Sequence, residues 1–257
     1  MTTYRVARHA RPKDLGEPGE QVGGLAVLKE IAIIVISALV LSFLIKTFLV
    51  QSFYIPSASM EDTLTVGDRV MVSRLAPGPV DLRRGDIVVF IDPGGWLPVY
   101  TAPDRGPVGN AATAAMTAIG LLPEDTGEHL IKRLIGLPGD HIMCDDACAD
   151  DGGPVTVNGT AIDETYLKPG NTPSGAKKFD VVVPDRMLFV MGDHRQNSAD
   201  SRFNTSRPGG GFVPVHNIVG TAFATVWPFE RMTWHSNPSG VFAGVPEPTA
   251  PAPQPTT

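Results

Sequence analysis

The sequence predicts a mainly β protein: an N-terminal transmembrane helix followed by an extracytoplasmic antiparallel β-sheet core with a small inserted β module. Three observations carry this prediction. A charge-free apolar run occupies Ile31 to Ile45 and extends through "KTFLV" to Val50. Short β-branched runs bounded by Gly and Pro recur through the remainder of a 257-residue chain that holds 27 Gly and 24 Pro. The 42% hydrophobic content suffices for one sizeable core, or for one core plus a small inserted domain.

In chain order, residues 1–28 are polar and Gly-bearing ("RPKDLGEPGEQVGG") and read as a disordered cytoplasmic tail. Residues 29–50 read as a membrane anchor, because about 20 residues at about 1.5 Å each match a hydrocarbon layer of about 30 Å. Lys46 can reach the interface along its own stem. Arg5, Arg8, Arg11, Lys13 and Lys29 precede the run, and no Lys or Arg occurs in 47–68, which places the N-terminus in the cytoplasm and the rest of the chain outside. A cleaved signal peptide is the competing reading, since the small residues of "FYIPSASMEDTL" resemble a cleavage site. The long polar leader and the length of the apolar run favour an uncleaved anchor.

Residues 51–140 form the first part of the core. "DRVMVSRL" and "GDIVVFI" read as strands and "LRRGD" between them as a turn. An insertion at 92–128 begins as loop and continues in "AATAAMTAIGLL", too short to span a bilayer and suited to a packed surface helix or to an interfacial contact. "HLIKRLIGLPGD" is a strand closed by a Pro-Gly-Asp turn. Residues 141–183 read as a small β module, with Asn158-Gly159 as a type I′ hairpin turn and Cys144 with Cys148 closing a disulfide loop. Two cysteines without a nearby His make less than a structural zinc site, so no metal is expected. Residues 184–237 complete the core with the strands of "RMLFVMGD" and "NIVGTAFATVWPF", and 238–257 read as a disordered Pro/Thr-rich tail.

Composition also excludes function classes. A net charge of -6, with no basic cluster beyond scattered residues in the first 30, leaves no footprint for nucleic acid. No G-x-S-x-G elbow, H-E-x-x-H pair or phosphate-binding G-x-x-x-x-G-K-[ST] loop occurs, and the six histidines lack ligand spacing, so no cofactor is expected.

Four motifs remain, in order: "PSASMEDTL" at 56–64, "RRGDIVVF" at 83–90, "IKRLIGLPGD" at 131–140 and "MGDHRQNSADSR" at 191–202. Singly each is weak. Together, after an anchor, they resemble the bacterial type I signal peptidases (leader peptidases), membrane-bound Ser/Lys-dyad endopeptidases. The resemblance runs from the anchor to about Phe229, omitting the tails and the 92–128 insertion. It implies a signal-peptidase-like catalytic core, with Ser59 as nucleophile, Lys132 as general base and Ser57 as an oxyanion donor. Ser198, Asp200 and Arg202 support the site, and Phe53, Ile55, Pro56, Met60 and Ile131 line substrate pockets for small residues of the Ala-X-Ala type. It further implies signal peptides of exported preproteins as substrates, the lipid bilayer and the secretion translocon as partners, and a single-pass location in the bacterial plasma membrane. The motif often carries Asn where this chain has His194, which reads as structural.

The chemistry can be argued from the residues as well. Serine needs an adjacent base, and lysine serves only when neutral. The apolar neighbours Leu130, Ile131, Leu134 and Ile135 can desolvate Lys132 and lower its pKa. Strand alternation would then leave Arg133 on the opposite face, in solvent. A hydroxyl such as Ser198 could hold the neutral amine without adding charge, with Asp200 paired to Arg202 instead. Two rivals remain, a catalytically silent anchored β-domain that binds exported chains, and a soluble self-cleaving repressor-type protease.

Overall fold

The β-branched runs of the sequence do pair into sheets, and the computed structural model describes them over residues 24–98, 106–107, 109–111 and 129–248. Two units separate, 1–42 and 43–257. The helix α1, Gly24–Phe48, begins in the first and ends in the second. Its described side chains, 27–43, are exposed, with Ile31, Ile34, Leu39 and Phe43 on different sides, so no single apolar stripe marks a core-facing side. Among the described residues no helix is long and apolar enough to cross a membrane. Val50, assigned to the anchor by sequence, is already the first residue of strand β1, Val50–Tyr54.

The main sheet is antiparallel. Its further strands are β2 (Arg69–Ser73), β3 (Ile87–Ile91), β4 (His129–Gly136), β9 (Met187–Met191), β10 (Val213–Pro214) and β11 (Ile218–Trp227), in the order β1-β2-β11-β3-β4-β9-β10. A short β12 (Thr233–Trp234) pairs with β11. Strand β3 is buried along most of its length because both faces of the sheet are covered. Ile87 and Val89 join Phe53, Val70, Val72 and Ile131 in one cluster, while Val88 and Phe90 join Leu130, Leu134 and Val190 in another. The register Val88↔Lys132 and Ile87↔Arg133 places the basic pair at the middle of this doubly covered sheet.

Residues 141–183 hold a second, four-stranded sheet of β5 (His141–Cys144), β6 (Thr156–Val157), β7 (Thr160–Ala161) and β8 (Phe179–Val182), ordered β7-β6-β5-β8. The β6–β7 turn uses positive φ at Asn158 and Gly159, as a type I′ hairpin demands. Cys144 and Cys148 are disulfide-bonded at the start of α2, Asp146–Asp151, whose N-terminus is capped by the Asp145 side chain. Arg84 ties this module to the core through two bonds to Asp140, Nε to Oδ2 at 2.8 Å and Nη2 to Oδ1 at 2.7 Å. Asp140 Oδ1 also accepts from Asn158 Nδ2 of the hairpin turn.

The expected tail is altered here. Part of the region read as a disordered tail is folded: α3, Ser239–Phe242, buries Phe242 in the module's core, and Pro246 O accepts from Asn158 and Arg84. Within the 92–128 insertion, residues 99–105, 108 and 112–128, nearly all of the Ala-rich run, lie outside the described residues.

Candidate active site

Three elements converge on one point. A 3-10 turn, Ala58–Met60, carries Ser59; the middle of β4 carries Lys132; and the loop after β9, residues 192–202, packs beneath both. Lys132 Nζ lies 2.6 Å from Ser59 Oγ and donates to Ile131 O at 3.0 Å. Both side chains are buried. Burial drives the Lys132 pKa from 10.5 down to about 8, against the opposing pull of Asp200 and Asp193 and with the help of Arg202. About a tenth of the amine is therefore neutral at pH 7, and the neutral amine has a lone pair for the Ser59 proton. Ser57 Oγ stands 3.3 Å from Ser59 Oγ on the same turn.

The loop beneath is a network of buried ion pairs. Asp200 pairs with Arg202, Nε to Oδ1 at 2.8 Å and Nη2 to Oδ2 at 2.6 Å, and accepts the Gly192 N–H at 2.9 Å. Burial pushes the Asp200 carboxyl up, but Arg202 and the Gly192 amide hold it below its ordinary value. Arg195 donates to Gly192 O at 3.0 Å and pairs with Glu164, so both backbone groups of Gly192 are fixed. A Cβ on Gly192 would sit 2.3 Å from Ser198 Oγ and 2.4 Å from Ser59 O, which explains why only glycine lets this loop approach the Ser59 turn.

Several sequence readings are corrected by this geometry. Arg133 is not in solvent; it is as buried as Lys132 and pairs with Asp193, which in turn accepts from Thr63 Oγ1 at 2.6 Å. Ser198 Oγ is buried and faces the Asp200 carboxylate, and among the described residues the lysine amine is held by Ser59 and Ile131 O rather than by Ser198. Met60 is fully buried in the core cluster with Leu64 and Val70 and does not line the cleft beside Ser59. That cleft is lined by Phe53, Ile55, Pro56, Ile131 and Lys132, together with Val89, Leu97 and Leu130.

Comparison with known proteins places the chain in a family. The family model described as signal peptidase, peptidase S26, matches residues 28–227. This chain belongs to the signal peptidase family, peptidase S26. A probable signal peptidase I of Mycobacterium leprae is 34% identical over 80% of this chain and 78% of its own length. Signal peptidase I of Mycobacterium tuberculosis H37Rv is 36% identical over 80% of this chain and 74% of that protein, and signal peptidase I U of Bacillus subtilis 168 is 30% identical over 69% of this chain and 76% of that protein. As a member of peptidase S26, the chain is a hydrolase, a serine peptidase.

The candidate site also contains residues that the sequence did not single out. Asp193, Arg195, Glu164, Tyr166, Glu61 and Lys168 surround it, and the Arg133 guanidinium lies 3.9 Å over the Tyr166 ring. Their partners lie up to 130 residues away in the chain, as for Asp193 and Thr63, so local patterns carried no signal for them.

Proposed function

We propose that this protein removes N-terminal signal peptides from exported preproteins, with Ser59 as nucleophile and neutral Lys132 as general base. The observation that carries the reading is the buried Lys132 amine 2.6 Å from Ser59 Oγ. As Ser59 Oγ attacks the scissile carbonyl carbon, its proton passes to Lys132 Nζ. The resulting ammonium then protonates the leaving amine as the C–N bond breaks, which leaves an acyl-enzyme. Water repeats the sequence and frees Ser59. The oxyanion of each tetrahedral intermediate is met by the Ser59 N–H and the Ser57 hydroxyl. Asp200 and Arg202 are supporting residues that fix the loop under Ser59, and Ser198 supplies a hydroxyl beside it.

Cleavage after small residues of the Ala-X-Ala type follows from the shallow apolar lining of Phe53, Ile55, Pro56 and Ile131, beside which an extended substrate can add as a strand. We read the chain as anchored in the plasma membrane through the apolar run that begins at Lys29 and ends before strand β1, N-terminus in the cytoplasm and catalytic body on the extracytoplasmic face, where the Cys144–Cys148 disulfide persists. Exposed Trp227, Phe229, Met232 and Trp234 favour the lipid bilayer as a partner of that body, and the translocon is expected nearby.

Purified full-length protein incubated with a preprotein should release a mature chain whose N-terminal sequence follows an Ala-X-Ala site, and Ser59→Ala and Lys132→Ala should not. Full activity in either variant removes the proposed dyad.

A further inference from the structure

The turn that carries Ser59 is held by a residue outside the dyad. His194 follows the Gly192-Asp193 pair, and its backbone N–H donates to Ser59 O at 3.1 Å. Its imidazole Nδ1 lies 3.2 Å from Ala58 O and 3.3 Å from Glu61 Oε2. Ala58 O is a carbonyl and can only accept. Glu61 is ionised, its carboxyl held below the usual range chiefly by Lys168, whose Nζ is 2.5 Å away. Both oxygens facing Nδ1 are therefore acceptors, which requires the hydrogen to sit on Nδ1.

Ala58 O belongs to the same peptide unit as the Ser59 N–H. A trans peptide is planar, with its C=O and N–H antiparallel, so whatever fixes the oxygen also aims the amide hydrogen. Ala58 O takes a second donor, the Glu61 N–H at 3.1 Å. The Ser59 amide is in the first turn of a 3-10 helix, where no carbonyl of that turn can accept it. Donors on the carbonyl also polarise the unit and strengthen its N–H as a donor.

We propose that His194 is a positioning residue that orients and strengthens the Ser59 amide as an oxyanion donor, acting through the Ala58–Ser59 peptide and not by touching substrate. The proposal rests on Ser59 being the nucleophile. It gives Glu61 and Lys168 a part as well, since Lys168 of the 141–183 module holds the Glu61 carboxylate that faces the imidazole.

The test uses the full chain in detergent with a preprotein. His194→Ala should lower kcat about 10- to 100-fold while KM stays within about twofold, because the interaction acts on the transition state. His194→Asn should recover most of the loss, since Asn Nδ2 is as many bonds from Cβ as His Nδ1. His194→Gln, whose amide lies one carbon further out, should not. Nitrogen-15 shifts of labelled histidine, assigned by the spectrum of His194→Asn, should show hydrogen on Nδ1. A wild-type kcat in His194→Ala, equal rescue by Asn and Gln, or a ring protonated only at Nε2 overturns the proposal. A wild type that leaves the preprotein uncut, or an active Ser59→Ala, overturns the nucleophile assignment instead, and the tautomer measurement still decides the clamp.

Discussion

Replacing Lys132 by methionine removes an ionisable group that the fold holds at a free-energy cost. The pKa falls from 10.5 to about 8 on burial, a change that corresponds to about 3 kcal/mol. The sign follows from proton binding. The folded protein binds the lysine proton more weakly than the unfolded chain, so the penalty is complete below about pH 8 and fades as pH rises towards 10.5. It should be about 3 kcal/mol at pH 7 and about 1.5 kcal/mol at pH 9.5. Methionine fills a similar volume, and losing the bonds to Ser59 and Ile131 O returns about 1 kcal/mol. Lys132→Met should therefore be inactive yet more stable than wild type by about 2 kcal/mol at pH 7, with most of that gain gone at pH 9.5. Urea unfolding of both proteins at the two pH values, followed by tryptophan fluorescence, measures this. Groups common to both proteins cancel in the difference. A variant that is less stable at pH 7, or an advantage that does not shrink by pH 9.5, would refute the picture of a buried and destabilised lysine.

Other perturbations have equally definite outcomes. With preprotein as substrate, kcat/KM should fall about tenfold per pH unit below the Lys132 pKa of about 8, as the neutral amine is lost; a rate flat from pH 8 to pH 5 speaks against a lysine base. Gly192→Ala should cost at least about 1 to 3 kcal/mol in urea unfolding and abolish cleavage, because the new methyl group meets a backbone oxygen, Ser59 O, that can yield only by moving the nucleophile's turn. Glu164→Ala leaves Arg195, which is fully buried, without its carboxylate, and should lower unfolding stability by about 3 to 5 kcal/mol; a shift below about 1 kcal/mol would show that water reaches the site.

How far the sequence could be read depended on how local each cause is. Strands β2, β3, β4, β9 and β11 lie where β-branched runs and Gly/Pro boundaries put them, and the Asn158-Gly159 hairpin turn is written in two residues. Arg133 was misplaced because alternation assigns one face of a strand to solvent, whereas β4 is covered on both faces and Asp193 comes from 60 residues away to meet the guanidinium. Met60 was misplaced because adjacency to Ser59 says nothing about which way a 3-10 turn sends the next side chain. The folded segment around Phe242 was hidden by its Pro-rich surroundings, since its partners Arg84 and Asn158 lie far upstream. His194 differs again: its ring contacts are set by the turn at Ala58, and neither stretch alone announces the other.

The span between the two halves of the site has a consequence for how the protein comes to life. Ser59 and Lys132 are 73 residues apart, Thr63 and Asp193 are 130 apart, and the anchoring Arg202 follows later still. During synthesis, the serine turn emerges long before the strand and loop that complete it. On the proposed Ser59 and Lys132 chemistry, an emerging chain is a protease precursor whose own length is the safety catch: it has a serine but no base until the last loop has closed.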